Sequence, residues 1–173
     1  MFTSNQVTID DMMRCRERRS AVQQEYLDTY HNTVISFCMN IPGPVKTNAD
    51  IRTAFDTGAS EISAVLSRQK LSILAQCNFH DKTGDELILC VDGDAVSLKK
   101  QMCEIEETHP LGRLYDIDVL DQNGIKLSRP TFRKCILCDC QAQECARSRK
   151  HHVDEMFWKI TDMIQSYASM PHS

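Results

Sequence analysis

Apolar positions along this chain change period several times, and the changes outline its elements. Thr8 followed by Asp11 has the form of a helix start, and Ile9, Met12, Met13, Val22, Tyr26 and Leu27 carry a helix towards Tyr30. Thr33 to Asn40, rich in Val, Ile and Phe, predicts a strand. Ile41 to Lys46 then holds two prolines, which cannot donate to a helix or a central strand, so it predicts a rigid loop. From Asn48 onward Ile51, Ala54, Phe55, Gly58, Ile62, Val65 and Leu66 return to helical spacing. Leu71 to Phe79 and Glu86 to Val91 flank Asp81-Lys82-Thr83-Gly84, a hairpin signal. Asp92 or Asp94 could cap a helix bearing Ala95, Leu98, Met102 and Ile105. Pro110 and Gly112 break the chain before a strand from Arg113 to Leu120. Asp121 to Gly124 turns it into a further strand, Ile125 to Ser128, and His152 to Ser166 predicts a closing helix.

Hairpins mixed with helical crossovers favour an α+β fold, a mixed β-sheet with packed helices. The 173 residues suit one domain, residues 1–173, with 133–152 as a Cys-rich subregion near the C-terminus. Composition is ordinary for a globular chain, 42 % apolar and 25 % charged. The longest apolar run, Leu87 to Val91, is far too short to span a membrane, and the N-terminus lacks an apolar signal core. The expectation is a soluble, cytoplasmic protein without a membrane partner.

Charge sharpens this picture. The net charge is −4, yet residues 126–152 hold seven Lys/Arg against Asp139 and Glu144, a local +5 that leaves −9 elsewhere. An acidic whole argues against nucleic-acid binding, whereas a basic segment suits a compact polyanion such as a polyphosphate or, more plainly, is a solvated face.

Three groups of residues could carry chemistry. Asp116 and Asp118 sit two apart in a predicted strand, so their carboxylates share a face. Magnesium takes one or two protein carboxylates beside phosphate oxygens, which makes this pair a platform for phosphoryl transfer; a half-exposed amphipathic strand has the same pattern. Gly112 could let a ligand approach backbone closely, Arg113 could fork onto a phosphate, and His109 is a second-rank base or phosphate ligand. The loop ending in Lys46 sets a lysine near a helix N-terminus, a place for an anion or merely a rigid turn. Of the nine cysteines, five are scattered, as small core residues are, and four crowd into eleven residues. Cys135-x2-Cys138-x6-Cys145-x5-His151 has ligand types and spacing suited to zinc, with Cys140 and His152 as further candidates. A reduced cysteine cluster and a redox Cys-x2-Cys pair are the competing readings.

Four blocks then become specific in combination: Ile41-Pro42-Gly43-Pro44-Val45-Lys46, the run from His109 to Val119, Leu127-Ser128-Arg129, and Cys135-Ile136-Leu137-Cys138 with Cys145-Ala146-Arg147-Ser148 and His151. In this order they resemble the apo-citrate lyase phosphoribosyl-dephospho-CoA transferases, also called citrate lyase holo-acyl-carrier-protein synthases, over nearly the whole chain. The resemblance implies a transferase of the nucleotidyltransferase type, with a nucleotidyltransferase-like fold. It implies triphosphoribosyl-dephospho-CoA as donor and a serine of the citrate lyase acyl carrier protein (gamma subunit) as acceptor, with pyrophosphate released. By analogy with a related malonate decarboxylase enzyme, Asp116 and Asp118 would hold magnesium and align the serine. Lys46, Arg113 and Arg129 would meet donor phosphates. A different class of function, a non-catalytic zinc-stabilised interaction module for the same carrier subunit, uses the cysteine cluster but has no need of the paired carboxylates.

Overall fold

The computed structural model describes residues 6–171. Helix α1 (Ile9–Tyr30) opens on a capping box: the Thr8 hydroxyl accepts from the Asp11 N–H, and the Asp11 carboxylate accepts from the Thr8 N–H. Strand β1 (Thr33–Met39) leads through the proline loop to α2 (Ala49–Arg68), capped by the Asn48 side chain. A hairpin of β2 (Ser72–Asp81) and β3 (Gly84–Asp92) follows, then α3 (Ala95–Thr108), capped by Asp94. A 3-10 turn (Gly112–Leu114) enters β4 (Tyr115–Leu120), and after a long irregular segment come α4 (Ala142–Ser148) and α5 (Val153–Ala168).

The fold is α+β, as the element order suggests. The sheet runs β2-β3-β1-β4, and every pairing is antiparallel where a mixed sheet was expected. The reason lies in the crossovers. Helix α2 joins β1 to β2 across β3, and α3 joins β3 to β4 across β1, so strands of like direction are never neighbours. This is the split βαβ arrangement of a ferredoxin-like βαββαβ unit.

Two faces result from the two-residue period. Ile35, Phe37, Leu87, Leu89, Val91, Tyr115, Ile117 and Val119 pack under α2, α3 and α5. Gly58 allows α2 to lie close: a Cβ there would meet Phe37 at 2.6 Å, and Phe37 stacks on Phe55 with centroids 4.8 Å apart. Val34, Ile88 and Cys90 face the other way, against Tyr26 and Leu27 of α1. Towards its N-terminal half α1 docks through charge, Arg18 and Arg19 pairing with the buried Glu86 and Lys82 with Asp11.

Three local expectations change. Arg113 lies in the 3-10 turn rather than in β4. Ile125 to Ser128 forms no strand, only an isolated bridge between Leu120 and Lys126. Helix α4 arises where no helix was predicted, because its seven residues bury only Cys145 and so show no apolar stripe.

Candidate active site

Strand β4 alternates as predicted. Tyr115, Ile117 and Val119 enter the core, which turns Asp116 and Asp118 to the α1 side, opposite Cys38 and Ser36 of β1. Asp118 pairs with Lys126 at 2.6 Å, and the Cys38 sulfur stands 3.9 Å from an Asp116 oxygen. Burial, reinforced by the Asp116 charge, pushes the Cys38 thiol up to about 12, so it is no nucleophile at neutral pH. Both carboxylates line one cleft of about 530 Å³ with Lys126, Ser128 and Arg129.

What fixes β4 comes from α3. Strand β4 is an edge, and its outward backbone groups need partners. Glu106 accepts from the Ile117 N–H at 2.9 Å, and the Lys99 ammonium donates to the Ile117 carbonyl at 2.9 Å. Arg133 donates to the Tyr115 carbonyl and pairs with Glu106, both at 2.6 Å, and Arg129 pairs with Glu106 and, at 2.9 Å, with Glu107. The residue gripped from outside is the one between the two aspartates. Lys99, Glu106 and Arg133 were not singled out from the sequence. The available signal was a pair of charges seven residues apart on the apolar stripe of a helix, where solvent-facing residues do not belong.

A second cavity, about 700 Å³, lies between the 3-10 turn, the Cys-rich segment and α5. Its lining includes Arg113, Arg133, Lys134, Arg149, His151 and His152, and no carboxylate. Asn40, Arg133, Ala142 and Ala146 line this cavity and the aspartate cleft alike, so the two share a wall. Burial, then the neighbouring Arg133 and Arg129 charges, hold the Arg113 guanidinium below its ordinary value.

The Cys-rich segment gathers its ligands. Cys135, Cys138, Cys145 and His151 place one ligand atom each within 4.8 Å of one another. The Cys138 sulfur is 3.6 Å from that of Cys145 and 3.3 Å from His151 Nε2. Tetrahedral zinc with Zn–S bonds of ~2.3 Å spaces its sulfurs ~3.8 Å apart, so the donor set and its geometry fit that ion. The Leu137 N–H donates to the Cys135 sulfur, and the Lys134–Gln141 bridge closes the knuckle. Cys140 stands outside the cluster with its sulfur 3.2 Å from the Lys150 ammonium, and His152 caps α5.

The remaining expected site residues have local contacts of their own. The Lys46 ammonium donates to the Ile41 carbonyl at 2.6 Å, half-buried and away from the lining of both cavities. Gly112 packs under the end of α3: a Cβ would meet the Glu106 and Ile105 carbonyl oxygens at 2.5 Å, so close packing rather than ligand approach accounts for the glycine. His109 accepts from the Leu111 N–H at 3.0 Å and packs between Tyr115 and Tyr167, on the far side from Asp116. Arg113 and the two aspartates are therefore brought near one shared wall, Arg129 is brought there already paired, and Lys46 and His109 are not.

Residues 7–167 match the family model described as apo-citrate lyase phosphoribosyl-dephospho-CoA transferase. The chain belongs to this family. A Vibrio cholerae relative named probable apo-citrate lyase phosphoribosyl-dephospho-CoA transferase is 36 % identical over 94 % of each chain. A Citrobacter koseri relative with that transferase name is 33 % identical over 94 % of this chain and 91 % of its own. The protein named CitXG from Haemophilus influenzae is 30 % identical over 97 % of this chain, a stretch that makes up 37 % of its length. Among the described residues no helix is long and apolar enough to cross a membrane.

Proposed function

We propose that the chain attaches phosphoribosyl-dephospho-CoA to a serine of the apo citrate lyase acyl carrier protein (gamma subunit), taking it from triphosphoribosyl-dephospho-CoA in the cytoplasm. The serine oxygen attacks the phosphorus that bears the ribosyl oxygen. A P–O bond forms to serine, the P–O bond to pyrophosphate breaks, and the serine proton passes to solvent or a base. The reaction is of the nucleotidyltransferase type, with a P–O bond exchanged at the first phosphorus of a triphosphate. Residues 1–173 act as one transferase unit, with 133–152 as its Cys-rich subregion.

One observation carries the reading: Asp116 and Asp118 project from one face of an edge strand into a cleft whose lining also holds Lys99 and Glu106, the side chains that grip the strand's backbone, and this cleft adjoins a cation-lined cavity. Two carboxylates suit magnesium when phosphate oxygens complete the shell, and the ion would neutralise charge on the pyrophosphate leaving group. Lys126, which pairs with Asp118 at 2.6 Å, would share that carboxylate with the ion. Arg113 meets the donor, and Arg129, paired with Glu106 and Glu107, holds the wall of the cleft. Zinc in the Cys135, Cys138, Cys145 and His151 set is structural, since four protein ligands close its sphere and thiolates are poor ligands for magnesium. The deciding experiment is mass spectrometry of the apo carrier after incubation with the chain, the donor and magnesium. A mass gain equal to phosphoribosyl-dephospho-CoA is expected. An unmodified carrier in a tight complex with the chain would identify the non-catalytic module instead.

A further inference from the structure

We propose that the 700 Å³ cavity beside the Cys-rich knuckle binds the nucleotide half of the donor, with Arg113 and Arg149 holding its diphosphate and the apolar flank of α5 receiving its base. This rests on the reading above that the donor is a dephospho-CoA derivative. The volume falls within the ~300–1,000 Å³ that ligand pockets occupy. The lining divides into two chemistries. Val153, Met156 and Ile160 of α5, with Ile136, supply apolar lining, and Arg113, Arg133, Lys134 and Arg149 supply cationic lining. Arg133 is spent on Glu106 and the Tyr115 carbonyl, while Lys134 has only a loose, exposed pair with Asp139 and a point charge without the fork of a guanidinium. Arg113 and Arg149 form no ion pair among the described residues, and the Glu106 charge acts on Arg113 only from beyond ion-pair distance. A half-buried guanidinium crowded by other guanidiniums gains most from an anion, and a planar fork fits a diphosphate.

The placement also connects the two halves of the reaction. Arg113 stands three residues before Asp116 on the same run of chain, and the shared wall at Asn40 and Arg133 lets a nucleotide in the cavity extend its triphosphate into the aspartate cleft. Arg149 sits between the cluster residues Cys145 and His151, in a left-handed turn that ends α4, so the knuckle fixes where its side chain starts.

The test is isothermal titration of the full chain with dephospho-CoA, ADP and pantetheine. Dephospho-CoA and ADP should bind competitively, and pantetheine, which lacks phosphate, should not displace them. Arg113→Met should weaken dephospho-CoA binding about tenfold, the usual loss for one charge-assisted contact. Arg149→Met, in an exposed turn where misfolding is not a concern, should weaken it severalfold. Arg68→Met, a basic residue at the end of α2, should leave it unchanged. Dephospho-CoA failing to bind below millimolar, pantetheine displacing it, or unchanged affinity in both Arg113→Met and Arg149→Met overturns the assignment. Arginine-dependent binding without any transfer to the carrier supports the cavity and counts against the transfer reaction alone.

Discussion

Removing the Glu106 carboxylate tests how β4 is held. In Glu106→Ala the Ile117 N–H, buried in the sheet edge, loses its acceptor, a cost of ~1–3 kcal/mol. Two guanidiniums lose a carboxylate with 3 % side-chain exposure. Removing one member of a buried ion pair costs ~3–5 kcal/mol. That figure is discounted here because Arg129 keeps Glu107 and Arg133 keeps the Tyr115 carbonyl. A total near ~3 kcal/mol, at ~2–4 °C per kcal/mol for a chain of this length, lowers the melting midpoint by ~6–12 °C. Glu106→Gln retains an oxygen for Ile117 and loses only the charge, so it should fall about half as far. Thermal melts followed by circular dichroism give the two shifts, and hydrogen exchange at the Ile117 amide should accelerate in the alanine variant but hardly in the glutamine one. A shift below ~2 °C for Glu106→Ala, or equal exchange in both variants, would refute the account of β4 as a strand clamped by α3.

Other perturbations separate the chemistry from the scaffold. Asp116→Asn and Asp118→Asn should each cut kcat for transfer by ~100-fold or more at matched circular dichroism, since each withdraws charge from the leaving-group site; near-normal rates in both would remove them from the reaction. Metal analysis of protein purified without chelator should find zinc, lost in Cys145→Ser and retained in Cys140→Ser, and chelation should lower the melting midpoint. Retention of zinc in Cys145→Ser would break the ligand assignment. Burial lowers the His109 pKa, so the folded chain prefers the neutral ring; that stability is full above the unfolded value of ~6.5 and is lost as pH falls below it. His109→Asn, which keeps an acceptor for the Leu111 N–H, should flatten the decline of the melting midpoint between about pH 7 and 5, and an unaltered pH slope would exclude His109 as its source.

Periodicity reads an element well when burial is one-sided. All seven apolar positions expected of α2, from Ile51 to Leu66, are its buried residues. Asp116 and Asp118 were legible for the same reason, since β4 alternates cleanly. The failures share a cause as well. Ile125 to Ser128 has strand-like composition, and the Leu127 N–H does donate to the Val119 carbonyl. One residue pair further the ladder stops, because the Ile117 N–H and carbonyl are already taken by Glu106 and Lys99. Composition cannot show that helix side chains occupy an edge. Parallel against antiparallel pairing was equally hidden, since it depends on which strand each crossover skips.

The same bonding decides which charges of the basic segment an anion could meet. Its formal excess of positive charge over residues 126–152 is not a uniform field. Lys126 is answered by Asp118, Arg129 by Glu106 and Glu107, Arg133 by Glu106, and Lys134 by Asp139. All but the internal Lys134–Asp139 pair fasten a segment that has little apolar core of its own to β4 and to α3, and the Cys135, Cys138, Cys145 and His151 set gathers its other end. Charge spent on attachment is not available to a ligand. Lys99, which lines the aspartate cleft, is committed to the Ile117 carbonyl, so of the cations lining the two cavities Arg113 and Arg149 are the ones that form neither an ion pair nor a carbonyl contact among the described residues. They flank the wall behind which the aspartates wait. A free carboxylate or an isolated phosphate could satisfy one of them; a diphosphate carried on an apolar body satisfies both and fills the α5 flank. On the proposed assignment, that difference in chemistry, rather than net charge, would select a nucleotide over other anions.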